Sequence, residues 1–197
     1  MNLDPIPLEG EHVRLEPLSA EDHLADLARA GADESIFRWF ADSYATGEKL
    51  AGFVDEALDA QENGDSLPFA IVSCATDTAI GSARFCAIEP EKRRVEIGWM
   101  WITPQWQRTA ANTEATYLML RHAFEAWDCV RVEFETAAEN SNARRALKRI
   151  GATEEGTLRK HMIVQGELRD SVFFSVIDVE WEAVRAGLAE RLASGSG

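Results

Sequence analysis

The chain of 197 residues is poor in basic charge: 20 lysines and arginines stand against 34 aspartates and glutamates, a formal net charge of −14. A surplus of that sign excludes a general attraction to polyphosphate backbones and anionic bilayers, so no nucleic acid and no membrane partner is expected. No run of eighteen apolar residues occurs, and the opening MNLDPIPLEGEHVRLEPL lacks the cationic stretch and apolar core of a secretion signal. A cytoplasmic protein is the expectation. Cysteine is scarce as well. Cys74, Cys86 and Cys129 form no C-x-x-C pair, and an odd, scattered set suits neither a disulfide framework nor a structural zinc site. Absent too are G-x-G-x-x-G, G-x-x-x-x-G-K, H-E-x-x-H and G-x-S-x-G, which removes the main support for dinucleotide, P-loop, zincin and hydrolase chemistry.

What remains is 46% hydrophobic and of a length that fits one ordinary core. A single domain is expected over 1–193, with 194–197 set apart as a flexible SGSG tail. Val13 and Leu15 alternate with Arg14 and Glu16 as a half-buried strand that Pro17 ends. Ser19 opens a helix over about 20–30, and Thr46 opens another that Asn63-Gly64 stops. LPFAIVSC, AIGSARFCAI and RRVEIGWMWI read as an antiparallel meander, followed by a helix from Asn112 to Trp127. VRVEFETA is a strand, Asn140 to Ile150 a short basic helix, and two strands then flank Gln165-Gly166 before a last helix from about Glu180. The order β-α-α-β-β-β-α-β-α-β-β plus a C-terminal helix predicts an α+β fold, one mixed sheet flanked by helices.

The chemistry centres on VEIGWMWITPQWQRTAANTEA, a strand, a tight polar loop and a helix N-terminus at Asn112 or Thr113. Such an N-terminus offers free N–H groups and a positive dipole end. Arg108, Thr109, Ala110, Ala111 and Asn112 are therefore candidates to surround a pyrophosphate, with an ordinary strand–helix turn as the plain alternative. Strict alternation puts Val95, Ile97, Trp99 and Trp101 on one strand face and Glu96, Gly98, Met100 and Ile102 on the other. Glu96 is a candidate general base; the alternative is that it pairs with a neighbouring arginine. His161 is a second candidate by its intrinsic pKa, against the ordinary role of a strand histidine. Arg144, Arg145, Lys148 and Arg149 crowd one helix, either as a field for an anionic ligand or as a solvated face.

EIGWMWI with QRTAANTEA, then RVEFETAAENSNARRALKRIGATEEG, then HMIVQGELRDSVFFSVIDVEW together resemble the GNAT acyltransferase superfamily, in its RimJ/RimL-like branch of N-acetyltransferases. The resemblance covers about residues 8–192. It implies a GNAT-like, mostly antiparallel central sheet, acetyl-CoA as donor, no metal, and a primary amine as acceptor, either a protein N-terminus or a small molecule. It also implies that Met100, Trp101 and Ile102 meet the pantetheine arm, that Gln107 to Thr113 hold the pyrophosphate, and that Asn140 and Arg144 contact the carrier. In relatives the region of Phe37, Trp39 and Phe40 forms a wall of the acceptor pocket; ordinary core packing is the other reading. Relatives often pair, so a homodimer is an open expectation, with six tryptophans available for an interface.

Two departures stand out. The family loop Q/R-x-x-G-x-G/A appears as Gln107-Arg108-Thr109-Ala110-Ala111-Asn112, without glycine, which excludes left-handed backbone at the alanines but keeps their N–H donors. Where relatives carry a tyrosine or serine as general acid, this chain has Leu147 and Ala143. A second reading follows, that of a CoA-binding domain with little or no catalytic activity.

Overall fold

The computed structural model describes residues 1–194. The expected tail at 194–197 falls outside them except for Ser194, which caps the last helix. The elements are β1 (Leu8–Glu9), β2 (Val13–Pro17), α1 (Ala20–Ala30), α2 (Gly47–Glu62), β3 (Leu67–Ser73), β4 (Thr78–Glu89), β5 (Arg94–Ile102), α3 (Ala110–Arg121), β6 (Arg131–Ala137), α4 (Ser141–Arg149), β7 (Thr153–Val164), β8 (Glu167–Ile177) and α5 (Asp178–Ala193). The eight strands form one sheet in the order β1-β2-β3-β4-β5-β6-β8-β7. Every pairing is antiparallel except that of β5 with β6.

Local chemistry sets the boundaries. Ser19 Oγ accepts the Asp22 N–H at 3.2 Å and Thr46 Oγ1 accepts that of Lys49 at 3.3 Å, so α1 and α2 begin where a short hydroxyl caps an orphan donor. Gln165 and Gly166 both have positive φ, 51° and 85°, the hairpin geometry expected of their position. The helix expected from Asn112 starts two residues earlier, because Thr109 Oγ1 accepts the Ala111 N–H at 3.2 Å and serves as its cap. It also ends sooner. After Arg121 the chain passes through a π turn at His122–Ala126, with the Trp127 N–H on the His122 carbonyl at 3.1 Å.

Two apolar clusters hold the layers together. Phe69, Ile71, Phe85, Val95 and Ile97 pack one face of the sheet against Ala115, Leu118 and Met119 of α3 and Val184 and Leu188 of α5. Ala70, Val72 and Trp101 pack the other face against Leu27 of α1 and Leu50, Phe53 and Val54 of α2. All seven residues of β3 are buried, as a strand covered on both faces requires. Among the described residues no helix is long and apolar enough to cross a membrane.

One irregularity in β5 matters for everything that follows. Trp99 and Met100 together oppose Ala83 of β4, between the pairs Ser82↔Trp101 and Arg84↔Gly98, and Trp99 has φ 52°. This is a β-bulge, and it shifts the alternation by one residue. Strict alternation therefore fails beyond Gly98. Val95 and Ile97 face the α3 layer, but so do Met100 and Ile102, while Trp99 and Trp101 join the α1–α2 side.

Candidate active site

The sheet opens where β5 and β6 part. They pair only over Arg94–Glu96 and Arg131–Glu133. Beyond those residues lies a cleft of about 370 Å³ lined by β5 from Glu96 to Met100, β6 from Phe134 to Ala137, one side of α4, and Trp39 and Phe40.

Three carboxylates meet at this fork. Glu96 pairs in register with Glu133, so the two share a face, and Glu135 follows on that face two residues on. Glu133 is held by Arg94 at 3.1 Å and by Arg131 at 2.6 Å. Glu135 accepts from Arg169 Nη2 at 2.9 Å and Ser171 Oγ at 2.5 Å. Among the described residues no ion pair reaches Glu96; the nearby arginines pair with Glu89, Glu133 and Glu135 instead. Burial, with the charges of Glu135 and Glu133 adding to it, pushes its carboxyl from the ordinary 4.5 up to about 7. Gly98 makes room for it: a Cβ there would lie 2.9 Å from Glu96 Oε1 and 3.0 Å from Cys86 Sγ. The thiol of Cys86 is itself pushed up by burial and is not a nucleophile at neutral pH.

His161 does not line the cleft. Its Nδ1 lies 3.5 Å from Glu135 Oε1 and its ring edge meets Phe173, so it reaches the site only through Glu135. Trp39 and Phe40 line the cleft, whereas Phe37 is 1% exposed and packs on Trp101 in the core. For Phe37 the packing reading holds. Arg169 Nη1 donates to the Trp39 carbonyl at 2.8 Å, and Gln165 Nε2 to that of Phe40 at 3.2 Å, which ties this wall to the β7–β8 hairpin.

Of the residues expected to meet the carrier, Met100, Asn112 and Asn140 line the cleft. The Trp101 ring is buried on the far side of the sheet, its Nε1 without a partner. The Ile102 carbonyl is taken by Gln107 Nε2 at 3.1 Å. The left-handed residue of the loop is Arg108, φ 61°; Ala110, Ala111 and Asn112 are helical, so the positions where the family pattern has glycine take no left-handed backbone here. Thr113 is buried and its Oγ1 has no partner. Asn140 caps α4, its Oδ1 accepting the Ala143 N–H at 3.1 Å. Arg144 is engaged elsewhere: it donates to the Ala138 carbonyl and, with Lys148, pairs with Glu154 at 3.0 and 2.7 Å. The basic helix is thus partly neutralised on its own surface. Ala143 and Leu147 do line the cleft.

Sequence reading missed Glu135, Arg169, Thr116 and Met162, all in the lining. The period-two spacing of Glu133 and Glu135 was a usable signal for the first. Arg169 and Met162 gave none, because only the register of β7 on β8 joins them.

A fork in a mixed sheet, with a half-buried carboxylate on one side and a helix N-terminus on the other, suits a reaction between an anionic carrier and a basic acceptor. The chain matches the family described as acetyltransferase (GNAT) domain over residues 12–153 and belongs to that family. It is similar to a GCN5-related N-acetyltransferase from Brucella melitensis, with 32% identity and a TM-score of 0.90 over 98% of this chain and 90% of that one. Its similarity to YdaF of Bacillus subtilis is 33% identity over 95 residues, 48% of this chain and 51% of that protein, so the match spans about half of that relative. RimJ of Mycobacterium smegmatis, solved in complex with CoA-disulfide, shares the fold at 20% identity, with a TM-score of 0.82 over 98% of this chain and 97% of that one. The protein is an acetyl-CoA-dependent N-acetyltransferase of the GNAT family.

Proposed function

We propose that this enzyme acetylates a primary amine that carries no carboxylate beside its nitrogen, with Glu96 as the base. The observation that carries the reading is the fork: Glu96 is the one carboxylate of the three that meet there without a cation partner. Acetyl-CoA supplies the acetyl group as an activated thioester. The chain fits such a carrier. The first turn of α3 has N–H groups with no partner inside the helix, Arg108 adds charge beside them, and the buried Thr113 hydroxyl is unsatisfied.

Glu96 takes the proton of the acceptor ammonium, directly or through one water, and its pKa near 7 suits a base at neutral pH. The free N–H groups of β5 beyond Glu96 polarise the acyl carbonyl. Ala143 and Leu147 donate no proton to the leaving thiolate, so water supplies it; a thiol of pKa about 8.5 leaves tolerably without a stronger acid.

The acceptor class follows from charge. Arg169 is the one cation among the cleft residues. Both its Nη groups are engaged, by the Trp39 carbonyl and by Glu135, and its Nε is shut away from solvent. A carboxylate on the acceptor would meet Glu96 and Glu135 with no free cation in the lining to pair with it. An N-terminal residue in a peptide, or an amine on an apolar body, fits Trp39, Phe40, Trp99 and Phe134. Thiol release from acetyl-CoA with phenylalaninamide and with phenylalanine tests this. The amide is expected to react with kcat/KM about 100-fold higher, the scale of an unpaired buried charge. Equal rates sink the acceptor class, and tight acetyl-CoA binding without acceptor-dependent release across an amine panel sinks catalysis and revives the binding-domain reading.

A further inference from the structure

Arg84 has no obvious structural reason to be an arginine. It sits on β4 opposite Gly98 and is 2% exposed. Its Nη2 donates to the Phe53 carbonyl at 3.0 Å, its Nε has no partner, and no ion pair reaches it among the described residues. Burial presses its pKa below the ordinary value. A guanidinium so placed costs stability that an apolar side chain of similar volume would not. What it has instead are two rings, Phe53 at 4.3 Å and Trp99 at 4.8 Å from Cζ to centroid.

Trp99 is the residue whose conformation needs holding. A bulky side chain at φ 52° is strained and persists only where its surroundings over-determine it. Phe40 and Phe53 each touch its indole with centroids 6.0 Å away, and Arg84 covers its π system, an attraction that strengthens away from water. The bulge so held sets Gly98, Trp99 and Met100 along the cleft beyond Glu96.

We propose that Arg84 is a positioning residue for acetyl transfer: clamped between Phe53 and Trp99, it holds Trp99 in the left-handed bulge that shapes β5 at the fork. The proposal rests on the acetyltransferase reading of this cleft. It explains why a buried, unpaired cation stands where methionine would pack at less cost.

Arg84→Met, Arg84→Lys and Trp99→Ala are compared with the wild type by thermal unfolding, steady-state kinetics and crystal structure. Arg84→Met is expected to unfold at or above the wild-type temperature. Its kcat is expected to fall about tenfold or more, the scale of a slightly misplaced site, with KM for acetyl-CoA little changed. Its Trp99 is expected to leave positive φ or swing its ring out of place, and Arg84→Lys to recover part of the lost kcat because the cation returns over the rings. On a Trp99→Ala background, Arg84→Met is expected to add little further loss. A wild-type kcat in Arg84→Met, an unmoved Trp99, or additive losses in the double variant overturns the proposal. Should Arg84→Met fail to fold, the Arg84→Lys structure and kcat decide: an unmoved Trp99 with kcat lowered tenfold overturns it, and a held Trp99 with kcat kept supports it. If no amine is acetylated by the wild type, the acetyltransferase reading fails, and the Trp99 conformation in Arg84→Met still decides whether Arg84 holds the bulge.

Discussion

Glu96 owes its chemistry to its neighbours. The same side chain beside Arg94 would have been an exposed ion pair; at the fork it is half-buried, next to Glu133 and Glu135, and keeps its proton to about pH 7. Two predictions belong here. The native state binds this proton more tightly than the unfolded chain, whose glutamate has the ordinary 4.5. The Glu96 contribution to stability is therefore fully present below pH 4.5 and is lost as pH rises through 7. Glu96→Gln should then match or exceed the wild type in urea stability at pH 8. Its kcat should drop about 100-fold, and it should lose the rise of kcat/KM with pH whose midpoint lies near 7 in the wild type. A wild-type pH profile in the variant would remove Glu96 from the base role. Gly98→Ala tests the same carboxylate by position. Its Cβ would press on Glu96 Oε1 and on Cys86 Sγ, two side-chain ends that must each shift to make room, so kcat should fall steeply while the unfolding temperature drops only modestly. Sequence alone could nominate Glu96, since a carboxylate in EIGWMWI is visible. It could not settle the arginine alternative, because Arg94 turns to Glu89 and Glu133 only in the folded sheet.

Among the elements, those with local causes were the legible ones. Ser19 and Thr46 cap α1 and α2 through contacts three residues long, and the Gln165-Gly166 turn follows from backbone sterics. The β5 bulge depends on a count of residues across two strands, which no pattern within β5 records, and so the faces of Trp99 to Ile102 were misread. The start of α3 differs for a similar reason: Thr109 caps it while also donating to the Trp106 carbonyl at 2.7 Å, a link made within the preceding loop. This loop carries a third prediction. Arg108 stands at φ 61° just ahead of the helix N-terminus, where a cation favours an anionic carrier and an anion opposes it. Arg108→Glu should raise KM for acetyl-CoA about tenfold with kcat nearly kept, while Arg108→Gly, which relieves the left-handed backbone, should raise it less and stabilise the fold slightly. An unchanged KM in Arg108→Glu would take the pyrophosphate away from this loop.

At the scale of the molecule, the net charge of −14 is unevenly spent. The cations of α4 that suggested an anion site go in part to Glu154, and of the six tryptophans Trp39, Trp99 and Trp106 keep partly exposed rings while the other three are buried. One carboxylate does structural work across the whole chain. Glu114, buried in the first turns of α3, accepts the N–H groups of Glu11, His12 and Val13 at 2.9, 2.6 and 2.7 Å, about a hundred residues away. Gly10 is required there, since a Cβ would lie 2.6 Å from the Glu114 carboxylate carbon. These bonds seat the β1–β2 turn against the helix that borders the site, in place of the backbone ladder that the turn lacks. Removing the acceptor leaves three backbone donors stranded near the core, so Glu114→Ala should lower the unfolding free energy by about 3 kcal/mol. Glu114→Gln, which keeps one carbonyl oxygen, should lose about half as much. Urea unfolding followed by tryptophan fluorescence measures both, and faster amide exchange at residues 11–13 should locate the damage. A variant as stable as the wild type, with those amides still protected, would mean that water satisfies the turn and that Glu114 is dispensable to it.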